Sequence, residues 1–266
     1  MKYTEIKSCY IGPEISPEQF IAEHFFLYLA KGTIEGYDGI NKYHLKAGEY
    51  CIARKNHLAR YNKQKQDGEF EKVVVIFNTE FLKIFAAKHK ITAQKATDEA
   101  AFVLLKKTNL VPNFILSLMP YYNDGGELDD TFSNIKREEL LLILLKENPD
   151  LKDILFDFAP PEKIDLKAYM NRNYKFNITM ERFAYLTGRS ISAFKRDFAS
   201  IFSDTPSRWL IQRRLQEGYF LMEKKGKKPS DIYLDLGFED LSHFSFAFKK
   251  KYGIPPSEIL KGNLRF

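Results

Sequence analysis

The last hundred or so residues repeat themselves, and this repeat constrains the fold more than any other feature of the chain. Phe194-x3-Phe198-x3-Phe202 is followed by Thr205-Pro206-Ser207 and Leu210; at an offset of 50, Phe244-x3-Phe248-x3-Tyr252 is followed by Pro255-Pro256-Ser257 and Leu260. Aromatic residues four apart share one face of a helix, so each copy predicts an amphipathic helix stopped by a proline. Upstream, Ala184-x2-Thr187-Gly188 corresponds to Ile232-x3-Leu236-Gly237. Each unit therefore reads as short helix, glycine turn, longer helix: a helix-turn-helix, twice. Thr179 is placed to cap the first short helix and Gly188 to close it in the left-handed conformation. Ser230, after Pro229, and Gly237 are expected to do the same in the second unit.

Between the units, Pro206–Lys224 reads as a linker helix with Thr205 as its cap and Pro206 in its first position. Trp209, Leu210, Leu215, Phe220 and Leu221 are expected on its apolar side, which makes Trp209 a core residue. About 19 residues at 1.5 Å each give roughly 28 Å, enough to hold two helices near one duplex turn, about 34 Å, apart. On the helical wheel, the face opposite Phe194, Phe198 and Phe202 carries Ser192, Lys195, Arg196 and Ala199. Small side chains allow close approach to a major groove, and Arg and Lys can reach guanine edges or phosphates. The first reading set is accordingly Ser190, Ser192, Ala193, Lys195, Arg196 and Ala199. The second is Ser242, His243, Ser245, Phe246 and Lys249. Lys224, Lys225, Lys227 and Lys228 make a basic turn, either solvated or in contact with phosphate.

Charge is divided in the same way. Residues 161–266 hold 20 Lys/Arg against 12 Asp/Glu, a net of +8; the whole chain carries +6, which leaves 21 against 23 for residues 1–160. A slightly acidic front and a basic back suggest two domains, 1–158 and 162–266, of which the second meets a polyanion. Pro160-Pro161 punctuates the boundary.

The front half changes pattern at Asn78. Before it, Phe25–Leu29, Thr33–Tyr37, Ile40–Leu45, Glu49–Ala53 and Val73–Phe77 read as strands separated by turns at Gly32, Asp38-Gly39, Ala47-Gly48 and Asp67-Gly68. Asp38-Gly39 is a two-residue hairpin signal, and the unbroken run Val73–Phe77 suggests burial on both faces. After it, Thr79–His89, Pro112–Tyr122 and Asp129–Glu147 have helical periods. Leu140–Leu145 is apolar all round a helix, so that helix must be covered on several sides, either inside its own subunit or by a second copy. Ile135, Leu141, Leu144 and Leu145 are the candidate dimer contacts.

These motifs carry a resemblance. Residues from about 163 to 261, with Asp235-Leu236-Gly237-Phe238-Glu239-Asp240 to Phe244 and Phe248-Lys249-Lys250-Lys251-Tyr252-Gly253-Ile254-Pro255-Pro256-Ser257, resemble the DNA-binding domain of the AraC/XylS family of bacterial transcription regulators. The resemblance implies seven helices, two recognition helices in adjacent major grooves, and RNA polymerase as a partner. Phe246 departs from it, standing where the family commonly has a basic or polar residue. Two readings stand: it meets a thymine methyl, or the second unit only holds the backbone. Lys31-Gly32 to Tyr37, Tyr43 to Tyr50, and Asn78-x2-Phe81-Leu82 resemble the cupin-like sensory domains of the subgroup that includes activators of type III secretion.

The expected fold is therefore α+β: an antiparallel cupin-like β-barrel with a helical dimerisation segment, followed by an all-α domain. The expected function is sequence-specific regulation of transcription on double-stranded DNA, as an activator and a homodimer. A small-molecule or protein effector at the front domain stays open, with Phe26, Tyr28, Tyr43 and Tyr50 as candidate pocket residues. An enzyme fused to a DNA-binding domain is the remote alternative. No Walker loop, GxSxG or HExxH occurs, and His24, His44 and His57 are scattered, so no metal or cofactor is expected. Cys9 and Cys51 are too few for a disulfide framework and are expected as reduced thiols. A mean hydropathy of -0.36, no long apolar run and no apolar leader in MKYTEIKSCY lead to the expectation of a cytoplasmic chain without a membrane span.

Overall fold

A computed structural model describes residues 6–11, 19–95, 100–122, 128 and 130–259, with only the backbone of 6–11, 130 and 131. Asp129, Leu260 and the side chain of Cys9 lie outside the described residues. Two compact units result, Met1–Ala159 and Pro160–Phe266.

The first unit is built on strands β1 (Ile6–Ile11), β2 (Phe20–Ile21), β3 (His24–Lys31), β4 (Thr33–Tyr37), β5 (Lys42–Lys46), β6 (Tyr50–Ala53), β7 (His57–Leu58), β8 (Arg60–Gln64) and β9 (Phe70–Phe77). Helix α1 (Thr79–His89), strand β10 (Phe102–Leu104), helix α2 (Leu110–Leu118) with a 3-10 turn at Met119–Tyr121, and helices α3 (Asp130–Glu147) and α4 (Leu151–Leu155) follow. One sheet runs β1-β9-β3-β6-β10, a second β5-β4-β8, and β2 pairs with β7. All pairings are antiparallel except β1 with β9.

Alternation along β3 and β9 explains how one sheet serves two cores. Phe25, Leu27 and Leu29 of β3, with Val74 and Ile76 of β9, face Ile34 and Leu45 of the second sheet. Phe26 of β3, with Val73, Val75 and Phe77 of β9, faces Leu82 and Phe85 of α1, Phe114 of α2 and Leu140, Leu141 and Leu144 of α3. Where a strand is covered on both faces its residues run apolar without alternation, which is the physical content of the Val73–Phe77 run. The Asp38-Gly39 hairpin forms, but its loop is four residues, since Tyr37 pairs with Lys42. Asp38 Oδ1 accepts from the backbone N–H groups of Ile40 and Asn41 (3.0 and 2.7 Å), an Asx turn that lengthens the connection.

The second unit contains seven helices among the described residues: α5 (Leu166–Asn173), α6 (Met180–Leu186), α7 (Ile191–Phe202), α8 (Pro206–Lys225), α9 (Pro229–Ile232), α10 (Leu241–Tyr252) and α11 (Pro256–Ile259). Phe194 and Phe198 of α7, and Phe244 and Phe248 of α10, are wholly buried, as the repeat requires. Burying each such ring is worth about 1.5–3 kcal/mol.

Candidate nucleic-acid interface

In the first helix-turn-helix, the Thr179 hydroxyl accepts from the Arg182 N–H at 3.3 Å, capping α6. Gly188 (φ +65) turns the chain, and a Cβ there would stand 2.3 Å from the carbonyl carbon of Glu162, so only glycine fits. Helix α7 opens at Ser190, whose hydroxyl accepts from the Ala193 N–H at 3.3 Å. Ser190 is thus a cap, and Ala193 is half-buried behind it. Its aromatic face locks onto α8: Trp209 lies 5.6 Å from the Phe198 ring and 4.7 Å from Phe202. Ser192, Lys195, Arg196 and Ala199 are exposed on the other face.

Arg196 projects into solvent there, its side chain 78% exposed, with Nε 3.7 Å from Asp197 Oδ1. That carboxylate is held elsewhere. Arg189 Nε donates to Asp197 Oδ2 at 3.1 Å, and Lys163 stands 3.5 Å away. The Arg189 bond holds the Asp197 carboxyl below the usual carboxylate range. Arg189 Nη1 also donates to the carbonyls of Ile164 (3.0 Å) and Thr187 (2.6 Å). Arg189 therefore straps the turn to α7 and leaves the Arg196 guanidinium outward.

The second unit is built differently at its start. Ser230 is not the cap: Lys228 holds that position without a side-chain bond, Pro229 is the first helical residue, and Ser230 donates to its neighbour Asp231 at 3.0 Å. Pro229 removes one of the first turn's free N–H groups, and the Asp231 N–H is met by the Lys228 carbonyl at 3.0 Å. Gly237 (φ +86) makes the turn, and Asp240 Oδ1 caps α10 by accepting from the His243 N–H at 2.7 Å. Ser242, His243, Phe246 and Lys249 are exposed, while Ser245 is half-buried. Phe246 is 71% exposed, more than any other large apolar side chain among the described residues. The two exposed helix faces are thus unequal. The first carries Lys195 and Arg196 behind a neutral serine cap; the second carries a phenylalanine behind a carboxylate cap, and its exposed face has Lys249 only on the third turn.

Helix α8 holds both units. Thr205 occupies its N-cap position but makes no side-chain bond, with Pro206 next. Phe220 does not line the apolar side as expected; it is half exposed, and Gly218 takes the packing role, where a Cβ would meet Leu236 Cδ1 at 3.0 Å. Gly218 lets α8 approach Leu236 and Phe244 so closely that a larger residue would require those side chains to give way by a few tenths of an ångström.

The front unit corrects two expectations. Phe26, Tyr28 and Tyr50 sit on the helix-facing side of the large sheet, whereas Tyr43 belongs to the inter-sheet core. The sheet separates them, so they are not one pocket. Tyr50 donates to the Lys106 carbonyl and accepts from the Thr108 N–H, both at 2.8 Å, pinning the chain after β10. Tyr43 donates to Asp38, and burial, followed by that bond, pushes its phenol up to about 12. The cleft beside Tyr43 has a volume of about 20 Å³ and is lined by Ile34, Gly36, Leu45, Cys51 and Phe102, room for about one water. Leu141 and Leu144 are 0% and 1% exposed inside the unit's own core, so the expected dimer contact cannot run through them. Ile135 is exposed and Leu145 half-buried. Among the described residues no three His, Cys, Asp or Glu side chains converge on a metal-sized site, and no helix is long and apolar enough to cross a membrane.

Arg189, Arg214, Gly218 and Asp240 were not singled out by the sequence. Asp240 was legible as an acidic cap just ahead of an apolar helix. Arg189 and Arg214 were not, since nothing local distinguishes them from Arg182 or Arg213.

A strand-rich front unit and two helix-turn-helix units on one rod define a two-domain helix-turn-helix protein. Two family models account for most of it: residues 24–154 match the family described as the ExsA N-terminal regulatory domain, and residues 183–262 match the helix-turn-helix domain, of AraC type. The HTH-type transcriptional regulator ExsA of Pseudomonas aeruginosa is 25% identical over 130 residues, 48% of this chain and 47% of that protein. The virulence regulon transcriptional activator VirF of Yersinia enterocolitica is 25% identical over 142 residues, 51% of each. This chain spans about half the length of the curated relatives it matches. Among solved structures, an apo ToxT variant from Vibrio cholerae is similar at 15% identity and a TM-score of 0.41, covering 92% of this chain and 90% of that one.

Proposed function

We propose that the chain is a sequence-specific DNA-binding regulator of transcription, acting as an activator, and not an enzyme. The observation that carries this reading is the pair of exposed faces on α7 and α10, each backed by buried phenylalanines and mounted on one helix. The helix of the first unit reads bases and that of the second mainly holds the duplex. The activator role follows the relatives, a transcriptional regulator and a transcriptional activator, and RNA polymerase as partner follows the family resemblance alone. The test is selection from random duplex DNA by the full chain, followed by footprinting beside its own gene. A discrete enriched sequence is expected, and uniform recovery would overturn the reading.

The front unit is proposed to close as a cupin-like barrel and to pair with a second copy through α3. Support for the pairing is an inversion on that helix: Lys136 and Arg137 are buried, whereas Phe132, Ile135 and Leu142 are exposed. The Lys136 ammonium donates to Ser117 and Glu139 at 2.9 Å each, and the Arg137 guanidinium lies 4.0 Å over the Phe81 ring. The cations anchor α3 inward and leave the apolar stripe facing out, with Leu145 at its far end. Effector control would act by biasing this pairing, and a ligand beside Tyr43 would have to open the small cleft there.

A further inference from the structure

Each helix-turn-helix packs on a different stretch of α8, the first at Trp209, the second at Leu215, Gly218 and Met222. Two bodies joined only through one rod could roll about it independently, and the separation of their reading faces would vary. A direct junction removes that freedom. Arg214, at the middle of α8 and 8% exposed, spreads its guanidinium over three backbone carbonyls. Nε donates to Tyr174 at 2.7 Å and Nη2 to Phe176 at 2.8 Å, both in the segment that leads into the first unit. Nη1 donates to Gly237 at 2.8 Å, in the turn of the second unit. No described carboxylate pairs with Arg214. Burial lowers it to about 10, so it remains charged at neutral pH, stabilised by carbonyl dipoles.

The backbones touch at the same place. A Cβ on Gly237 would stand 2.6 Å from the Lys175 carbonyl oxygen and 2.9 Å from Arg214 Cζ, so the turn is pressed against the first unit's entering segment. At the surface, Asn177 Nδ2 donates to Glu239 Oε1 at 3.2 Å across the same seam. The planar fork of arginine can meet three fixed acceptors at once; a lysine ammonium, a point charge on a flexible stem, cannot reproduce that geometry.

We infer that Arg214, with Gly237, is a positioning residue that closes α8 and the two helix-turn-helix units into one body and so fixes the separation at which the chain reads two boxes on DNA. Resting on the DNA-binding reading above, this adds what sets the spacing. In selections with full-length protein, the wild type is expected to enrich two boxes at one separation, a one-base-pair change costing roughly tenfold, as one mismatched pair does. Arg214→Gln is expected to keep the preferred bases within each box while neighbouring separations fall within about threefold of one another. Without DNA, the distance distribution between spin labels at positions 195 and 250 is expected to broaden in the same variant. Should Arg214→Gln fail to fold, the double variant Asn177→Ala, Glu239→Ala opens only the exposed part of the seam, and a smaller broadening is expected. Unchanged spacing and an unchanged distance distribution in whichever variant folds would overturn the inference. Failure of the wild type to enrich any sequence would instead overturn the DNA reading, and the distance distribution would then decide the junction alone.

Discussion

At the scale of single residues, the two recognition helices make opposite predictions. Arg196 presents a guanidinium outward, and such a group can bond bidentately to guanine O6 and N7. Arg196→Ala is expected to cost about 1–3 kcal/mol at one base pair and relax the preference there. Phe246 offers no hydrogen bond and stands behind the Asp240 carboxylate, so Phe246→Ala should lose only a modest apolar contact. Lys249→Ala should weaken all sequences alike. Binding selections with the three variants decide it; loss of specificity in Phe246→Ala with Arg196→Ala unaffected would reverse the assignment. A second residue-scale prediction concerns stability. Burial, with Lys55 and Arg54 nearby, lowers His24 to about 3, and its Nδ1 accepts the Lys55 N–H at 3.2 Å, which requires the neutral ring. The unfolded chain takes up this proton near pH 6.5 while the fold refuses it until about 3. Stability is therefore intact above about 6.5 and falls with pH below it, by up to about 1.4 kcal/mol per unit. In acid denaturation series, His24→Asn, which keeps an acceptor without a titrating ring, should flatten this dependence; an unchanged slope would sink the idea.

At the scale of elements, α3 shows where pattern reading stops. Its run Leu140–Leu145 announced cover on several sides but could not say by what. The structure splits the run: Leu140, Leu141 and Leu144 face the large sheet and its helices, and Leu142 faces out with Ile135 and Phe132. Leu141→Asp should therefore unfold the front unit, because a carboxylate would enter a filled core at a cost of several kcal/mol. Ile135→Asp, 62% exposed, should leave the melting curve within about 0.5 kcal/mol of wild type while sedimentation shifts from dimer to monomer. An unchanged sedimentation mass would remove α3 from the interface. The same limit governed the rest of the reading. Strands with strong alternation or a clear turn, such as β3, β4 and β9, and helices with aromatic periodicity, such as α7 and α10, were legible because the signal is local. Strand β8 (Arg60–Gln64) was missed because its exposed residues carry no apolar alternation, and β1 because it is specified by parallel pairing with a distant partner. The exposed faces of α7 and α10 were legible from the wheel; the candidate pocket was not, because which side of a sheet a tyrosine takes depends on register.

At the scale of the whole molecule, the division of charge sets how the protein should respond to salt. The net of +8 over residues 161–266 opposes -2 over residues 1–160, so attraction to a duplex is concentrated in the second unit. Beyond the reading faces, Lys224, Lys225, Lys227 and Lys228 are all exposed around Gly226, whose left-handed turn ends α8. Each phosphate neutralised releases counterions, and the logarithm of affinity falls by about 0.9 per phosphate for each decade of salt. If about six phosphates are met, the slope is about -5, and affinity drops roughly 10³-fold between 50 and 200 mM salt. Binding of the full chain to its selected site, measured by gel shift across that range, checks this. Changing the four lysines of the turn to glutamine separates solvation from contact. Should the turn lie on the duplex, the slope becomes shallower by about one for every lysine that met a phosphate, with base preference preserved. A quadruple variant with the wild-type slope would assign the turn to solvent, and a flat response in the wild type would remove the polyanion from the account altogether.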